Sequence, residues 1–277
     1  MVGAAAFLTH HHNSLYFFSS ASTPRFLPEP RLRASPSPAK QSGACCSTDR
    51  RKLFNRIAPV YDNLNDLLSL GQHRIWKRMC VSWSGAKKGD TVLDLCCGSG
   101  DLTFLLSEKV GLGGEVAALD FSREQLSIAS ARQQLLWNDC YKNIKWIEGD
   151  ALNLPFEGSY FDAVTVGYGL RNLDNKQKAM QEILRVLKPG SKVSILDFGK
   201  SNSALVRLAQ EWAIDNVVVP IASFHGFTEE YKYLKTSISE FLTGNEQEML
   251  AKDVGFTDAK HYPIAAGLMG NLVARSR

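Results

Sequence analysis

The segment Val92–Thr103, with the sequence VLDLCCGSGDLT, constrains the fold of this chain more than any other. Its first four residues are mostly apolar and suit a buried parallel strand. The turn that follows consists of small residues, and Gly98 and Gly100 let the backbone approach a ligand where a Cβ would clash. Helical residues are expected from Leu102. The segment therefore predicts a strand, a ligand-binding turn and a helix start.

Acidic residues follow the next two predicted strands. The turn has the spacing G-x-G, without the third glycine of a dinucleotide site and without the Gly-Lys-Ser/Thr of a P-loop. Asp120 lies about twenty residues after the glycines, where Rossmann-like folds carry a ribose-binding carboxylate, and Asp150 follows a third strand. Either acid alone could be only a helix cap. Together they indicate a nucleoside ligand without phosphates, and S-adenosylmethionine fits.

The rest of the chain alternates between strand and helix patterns, which predicts a right-handed, doubly wound parallel sheet. Helices on both faces of a seven-stranded sheet with an antiparallel C-terminal edge hairpin are typical of the class I S-adenosylmethionine-dependent methyltransferase (Rossmann-like) α/β fold. The predicted strands are 89–95, 114–119, 144–147, 161–167, 192–197, 257–262 and 268–274, and the predicted helices between and after them are 123–134, 174–187 and 246–254.

The first 48 residues differ in composition from the rest. They hold four basic residues and one acid, and five of the chain's ten prolines. Such a segment is typical of a transit peptide, although a disordered tail is the alternative. The absence of Lys and Arg from the first 24 residues favours a plastid over a mitochondrion, and cleavage is expected between residues 35 and 50.

Composition limits the classes of partner. The net charge is +4 and the N-terminal segment contributes +3, so the remainder, about +1, has no nucleic-acid footprint. Six cysteines without C-x-x-C spacing indicate reduced thiols, and no metal site is expected. No apolar run is long enough to span a bilayer. A homodimer is among the assemblies that the sequence leaves open.

Two helical additions flank the predicted sheet. Residues 49–86 form an N-terminal helical cap, broken near Pro59, and residues 203–242 form a helical insertion. Apolar residues of 229–242 share one helical face. That face predicts either ordinary core packing or a lipophilic wall or membrane-facing patch.

Three separated motifs resemble the ubiquinone/menaquinone C-methyltransferase family, over roughly residues 50–275. The first is the run Tyr61–Trp76, which has the Tyr-Asp-x-x-Asn, Ser and His-x-x-Trp pattern. The others are the runs 168–172 (YGLRN) and 185–191 (RVLKPGS). The chain departs from the family pattern at four positions. Leu64 stands where the family has Met, Gly167 where it has Ser, Ser191 where it has Gly, and Asp197 where it has Glu.

The resemblance is strongest to the plant and cyanobacterial branch of this family. It implies C-methylation of the reduced form of a phytyl naphthoquinone in phylloquinone (vitamin K1) biosynthesis. A prenylated quinol substrate also implies peripheral contact with a thylakoid or envelope membrane of the chloroplast. A mitochondrial benzoquinol enzyme, an O- or small-molecule methyltransferase and an inactive donor-binding scaffold remain alternatives.

The resemblance also implies a donor site and an acceptor site. The donor residues are Asp94, Gly98, Gly100, Thr103, Asp120, Phe121, Asp150 and Ala151. Asp120 is expected to accept the ribose hydroxyls, Asp150 to lie near the adenine amine, and Asp94 to reach the donor's ammonium through water.

At the acceptor, Arg171 is expected to stabilise an oxyanion, Asn172 to fix a water and Tyr61 to give a second hydrogen bond. Simple alternatives are a salt bridge for Arg171 and core packing for Tyr61. His73 is a minor candidate for a base. Cys96 and Cys97 are expected to have no catalytic role, because small residues are what the turn requires.

Overall fold

The computed structural model describes residues 71–136, 138–200 and 228–277, with the isolated positions 208, 212, 215, 216 and 220. The predicted transit segment, Tyr61, the break near Pro59 and nearly all of the insertion before residue 228 lie outside these ranges. The predicted boundaries of the cap and of the insertion therefore stay predictions.

Within the described ranges the strands form one seven-stranded sheet in the order β3-β2-β1-β4-β5-β7-β6. Strands β1 to β5 are parallel, whereas β7 runs antiparallel to both β5 and β6. This arrangement confirms the predicted fold class and the antiparallel edge hairpin. The strand bounds are β1 Thr91–Leu95, β2 Glu115–Asp120, β3 Ile144–Glu148, β4 Phe161–Gly167, β5 Leu187–Phe198, β6 Asp258–Ile264 and β7 Met269–Arg275.

Several helices begin at a residue whose side chain caps the first turn. Ser122, for example, accepts a hydrogen bond from the Gln125 N–H, and Thr243 forms a capping box with Glu246. The helix bounds are α1 His73–Trp83, α2 Asp101–Val110, α3 Arg123–Leu135, α4 Lys176–Val186, α5 Thr228–Ser239 and α6 Gly244–Val254, with short 3-10 helices at Asp139–Asn143, Leu170–Asn172 and Ala265–Gly267.

Strand β5 starts earlier than the sequence predicts. Leu187 already pairs with Phe161, and the register then shifts so that Lys192 pairs with Ala163. The extra residues contain Pro189, which has no N–H for the ladder, and Gly190, whose φ is +77°. The Pro-Gly pair therefore marks a bulge at the start of the strand rather than a loop before it.

The core lies on both faces of the sheet. Leu93 and Leu95 point to one face, in a cluster with Phe156 and Met180, while Val92 points to the other. Helix α1 packs on that second face through Cys80, which is fully buried.

Phe241, at the described end of the insertion, belongs to the first of these clusters. Ile238 is 6% exposed and Phe241 is 2% exposed. Of the two alternatives for the apolar face of 229–242, core packing is therefore correct for these two residues. None of the helices in the described ranges combines the length and apolar composition needed to cross a bilayer.

Candidate active site

The candidate site lies at the carboxyl ends of β1 and β4, which are neighbours in the sheet. Chain order runs outward from β1 to β3 on one side and from β4 to β5 on the other. Ligands of open α/β sheets bind at such a switch point, outside the carboxyl ends of the strands. The turns 96–100 and 168–172 therefore face the same crevice. They are also in contact, because a Cβ on Gly169 would lie 2.6 Å from the Cβ of Cys96.

The two glycines of the first turn have different surroundings. Gly100 has a φ of +93°, and a Cβ there would lie 2.8 Å from Cη2 of Trp146. Gly98 has a φ of +53°, and a Cβ there would meet nothing closer than Oε1 of Gln125 at 4.0 Å. Gly100 is thus required by packing within the protein. Gly98 instead borders open space, as expected for backbone that a ligand approaches.

Asp120, at the end of β2, holds the glycine turn directly. Its carboxylate accepts hydrogen bonds from the N–H groups of Gly98 and Ser122, both at 2.9 Å. The residue is 6% exposed. A carboxylate has about four acceptor positions, and these two N–H groups occupy two of them. The adjacent Phe121 is half-buried.

Asp94 lies beneath the turn and is fully buried. It accepts hydrogen bonds from the hydroxyls of Thr103 at 2.6 Å and Thr165 at 2.8 Å. Burial raises the pKa of Asp94 to about 7, although these two hydrogen bonds oppose the change. Thr103 therefore contacts Asp94 in this structure, and the pair joins β1 to α2 on the two sides of the turn.

Asp150 and Ala151 follow β3 at the same edge. The N–H of Gly149 donates to the backbone oxygen of Asp120 at 3.0 Å, which fixes this segment beside β2. Asp150 is exposed and accepts from the N–H of Leu152 at 2.8 Å, whereas Ala151 is 5% exposed. The open space at Gly98 and two carboxylates on neighbouring strand ends fit a nucleoside donor.

Arg171, in the second turn, forms a buried ion pair. Its Nη1 lies 2.7 Å from Oδ1 of Asp197, and the two side chains are 3% and 2% exposed. Nη1 also donates to the backbone oxygen of Tyr168 at 2.6 Å, and the guanidinium lies 5.1 Å from the Phe198 ring centroid. The structure therefore has the salt bridge that the sequence left as the alternative for Arg171.

Asn172 links the second turn to the helical insertion. Its Nδ2 donates to the backbone oxygen of Tyr168 at 3.0 Å, and its Oδ1 accepts from the hydroxyl of Tyr233 at 3.1 Å. Tyr168 has a φ of +58°, a strained conformation for a residue with a Cβ. The sequence did not indicate Tyr233, because helical periodicity identifies an apolar face and not a phenol at one position.

The remaining candidates are His73, Cys96 and Cys97. His73, on α1, is 5% exposed. Burial, together with the charges of Asp120 and Asp94, raises the pKa values of Cys96 and Cys97 well above the usual range, so both thiols stay protonated. Both are free cysteines. In the described part of the chain, no group of His, Cys, Asp and Glu side chains could hold a metal ion.

Comparison with known proteins agrees with this geometry. Residues 45–274 match the model of the ubiE/COQ5 methyltransferase family. The chain is 66% identical over 229 residues to the Arabidopsis thaliana protein named 2-phytyl-1,4-beta-naphthoquinone methyltransferase, chloroplastic, covering 83% of this chain and 88% of that one. It is 52% identical over 223 residues to the 2-phytyl-1,4-naphtoquinone methyltransferase of Nostoc sp., covering 80% of this chain and 96% of that one.

One solved structure has a fold similar to that of this chain. It is an S-adenosylmethionine-dependent methyltransferase from Thermotoga maritima, with a TM-score of 0.58, 16% identity, and coverage of 82% of this chain and 99% of that one. At this identity the likeness shows the fold alone, and it agrees with the sheet order described above. The chain therefore belongs to the ubiE/COQ5 family of S-adenosylmethionine-dependent methyltransferases.

Proposed function

We propose that this chain methylates a ring carbon of reduced 2-phytyl-1,4-naphthoquinone. The observation that carries the proposal is the 66% identity to the Arabidopsis relative of that name, which extends over 88% of the relative's length. The more distant Nostoc relative is named for the same substrate. Both names favour a naphthoquinol over the benzoquinol of the mitochondrial alternative.

At the donor, we assign a separate task to each strand end. Gly98 and Gly100 form the turn against which the methionine part of the donor lies. The hydrogen bond between Thr103 and Asp94 stabilises this turn. Asp120 accepts the ribose hydroxyls in addition to the two N–H groups that it already binds. Asp150, Ala151 and Phe121 border the adenine. The open space at Gly98 supports this assignment.

At the acceptor, the ring carbon must become nucleophilic, because the donor supplies an electrophilic methyl group. Deprotonation of the neighbouring quinol hydroxyl places negative charge on that carbon, and the site must stabilise the oxyanion. Asn172 lies in the turn beside the donor turn and is half-buried. In this proposal its amide binds the hydroxyl, or a water beside it, in addition to Tyr168 and Tyr233. Tyr61 would add a second hydrogen bond from the cap.

Arg171 serves the acceptor, in this proposal, mainly through the turn that it holds. Asp197 offsets much of its charge, and the Arg171 side chain is 3% exposed. The ion pair and the bond to the Tyr168 oxygen fix the strained backbone that presents Asn172. Loss of Arg171 would leave the Asp197 carboxylate buried and unpaired, which is strongly destabilising.

The direct test is an assay of the full chain with labelled S-adenosylmethionine and reduced 2-phytyl-1,4-naphthoquinone. We expect label in the ring of the product, identified by mass spectrometry, and less with a prenylated benzoquinol. Asn172→Ala is expected to lower kcat by about 100-fold, the lower range for losing one oxyanion donor. A chain that binds the donor but forms no ring-methylated product would overturn the proposed reaction.

We further propose that the chain acts in the chloroplast, at a membrane surface. The Arabidopsis relative is named chloroplastic, and a phytyl quinol is held in membranes by its tail. A fluorescent fusion of residues 1–60 is expected to enter isolated chloroplasts and not mitochondria.

The full chain is expected to float with plastid-lipid liposomes. Recovery of all the protein in the lipid-free fraction would count against membrane contact.

A further inference from the structure

Lys77 connects helix α1 to both turns of the candidate site. Its side chain is 7% exposed, and its ammonium forms an ion pair with the carboxylate of Asp101, the first residue of α2. Asp101 directly follows Gly100. The same ammonium lies 5.9 Å from the ring centroid of Tyr168, in the turn after β4. One buried cation from the cap therefore contacts the donor side and the acceptor side together.

Asp101 extends this connection into the backbone of the glycine turn. Its Oδ1 lies 2.8 Å from Nη2 of Arg132, on α3. Nη1 of Arg132 in turn donates to the backbone oxygen of Ser99 at 2.8 Å. A series of charged and polar contacts thus connects Lys77, through Asp101 and Arg132, to the turn that borders the open space at Gly98.

The carboxylate of Asp101 lies between two cations. Burial opposes ionisation of Asp101, but the attraction and hydrogen bonds of Lys77 and Arg132 outweigh it and hold the pKa of that carboxyl below its usual value. Asp101 therefore remains ionised between its two cations. Removal of Lys77 would still leave Arg132 bound to Asp101, so the glycine turn would lose its tether to α1 but not its tether to α3.

Packing of α1 gives no reason for a lysine at this position. Cys80 and Val81 already bury the helix against the sheet, at 0% and 5% exposure. A buried ion pair contributes little net stability, because desolvation of the two charges offsets their attraction. What such a pair does fix is geometry, since each charge is bound only in one arrangement.

We propose that Lys77 is a positioning residue that holds the glycine turn in its donor-binding geometry by tying Asp101 to α1. Seating of the cap helix and binding of the donor are then coupled through one ion pair. The inference rests on the donor assignment of the proposed function and does not depend on which acceptor is methylated.

The test measures binding of S-adenosylmethionine alone to the full chain by titration calorimetry. Lys77→Met keeps the apolar stem and removes the charge, and it is expected to raise the donor Kd about tenfold, equivalent to about 1.4 kcal/mol. In the methyl-transfer assay, KM for the donor is expected to rise by the same factor, with kcat changed less than about twofold. Lys77→Gln gives the same comparison if Lys77→Met does not fold.

A double-mutant cycle separates this role from a purely structural one. In an Asp101→Asn background, Lys77→Met is expected to add little further loss of donor affinity, since the contact is already broken. Lys145→Met is the matched control, because Lys145 pairs at 3.0 Å with buried Glu115. This pair lies near the amino ends of β2 and β3, whereas the candidate site lies at the carboxyl ends of the strands. That variant is expected to bind the donor as the unmodified chain does.

Two outcomes would overturn the inference: wild-type donor affinity in folded Lys77→Met, or an equal loss with and without Asp101→Asn. A lower unfolding temperature with unchanged Kd and KM would likewise leave Lys77 a structural role only. An unmodified chain that binds no donor would contradict the donor assignment of the proposed function instead, so the two failures are distinguishable.

Discussion

At the scale of single residues, the two glycines of the turn after β1 have different surroundings. Gly98 and Gly100 both have positive φ, but only Gly100 is enclosed by the protein's own aromatic rings, those of Trp146 and Phe104. The same sequence motif therefore contains one glycine that packing requires and one that borders open space, where we propose that the donor binds. Substitutions at these positions should separate stability from binding.

Gly98→Ala is expected to weaken donor binding by at least about tenfold, which corresponds to about 1.4 kcal/mol, because its methyl group enters the open space. It should lower the unfolding free energy by about 1–2 kcal/mol, the cost of placing a residue with a Cβ in the left-handed backbone region. Gly100→Ala should add about 1–3 kcal/mol of overpacking against Trp146. Calorimetry and urea unfolding would measure the two effects.

Gly190→Ala is the control for backbone strain. Gly190 has a φ of +77° with no atom within 4 Å of its added Cβ, and it lies in the bulge of β5, away from the turn. It should lose a similar amount of stability and no donor affinity. Wild-type donor affinity in Gly98→Ala would show that the space beside Gly98 is not the donor site.

Asp94 should make stability depend on pH. Burial raises the pKa of its carboxyl to about 7 in the folded chain, whereas an unfolded Asp titrates near about 3.9. The folded state therefore binds more protons between these values, so this contribution to stability is present below about pH 4 and is lost as pH rises to about 7. Asp94→Asn should flatten the pH dependence of the unfolding free energy across this window. An unchanged slope in the variant would contradict the assignment.

At the scale of elements, the antiparallel edge depends on close packing between β6, β7 and α6. The imidazole of His261 on β6 lies between Gly244, at the start of α6, and Gly270 on β7. An added Cβ would lie 2.3 Å from its Nδ1 at Gly244 and 2.1 Å from its Nε2 at Gly270. Neither glycine has a positive φ. Here glycine is therefore required by the space that one side chain occupies and not by backbone conformation.

Gly270→Ala should lower the unfolding free energy by about 1–3 kcal/mol through overpacking. In a His261→Ser background the same substitution should cost less, because the ring that it meets is gone. Gly113→Ala, with no atom within 4 Å, serves as the control and should have a small effect. Equal losses in both backgrounds, measured by urea unfolding, would rule out the contact with His261 as the cause.

At the scale of the whole molecule, the sheet brings together groups that are far apart in the chain. Turn 96–100 follows β1 and turn 168–172 follows β4, and these strands are adjacent. Helix α5 reaches the second turn through Tyr233, and α1 reaches both turns through Lys77. The two turns are thus contacted by elements from both additions to the sheet.

The proposed chemistry makes activity depend on the redox state of the acceptor. Only the reduced quinol can lose a hydroxyl proton and place charge on the ring carbon, so the oxidised quinone should give no product above background. Adding a reductant to the same assay should restore methylation, followed by mass spectrometry of the ring product. Equal rates with the oxidised and reduced acceptor would contradict carbon attack by the quinol.

Much of the fold and part of the candidate site could be predicted because their signals are local. The apolar runs of β1 and β4, the glycine turn and the helix caps each depend on a few neighbouring residues, and the family motifs lie in continuous runs. The early start of β5 escaped prediction. Lys-Pro-Gly reads locally as a helix stop and a loop, and only pairing of Leu187 with Phe161 makes that segment part of the strand.

By itself, then, the sequence determined the doubly wound sheet, the turn at Gly98 and Gly100, and the family. Only the tertiary structure decided what the charged and polar side chains contact. It paired Arg171 with Asp197, placed Tyr233 on Asn172 and joined Lys77 to Asp101. The physical reason is that backbone pattern is written in local periodicity, whereas a hydrogen bond or an ion pair depends on which distant elements the strand order makes neighbours.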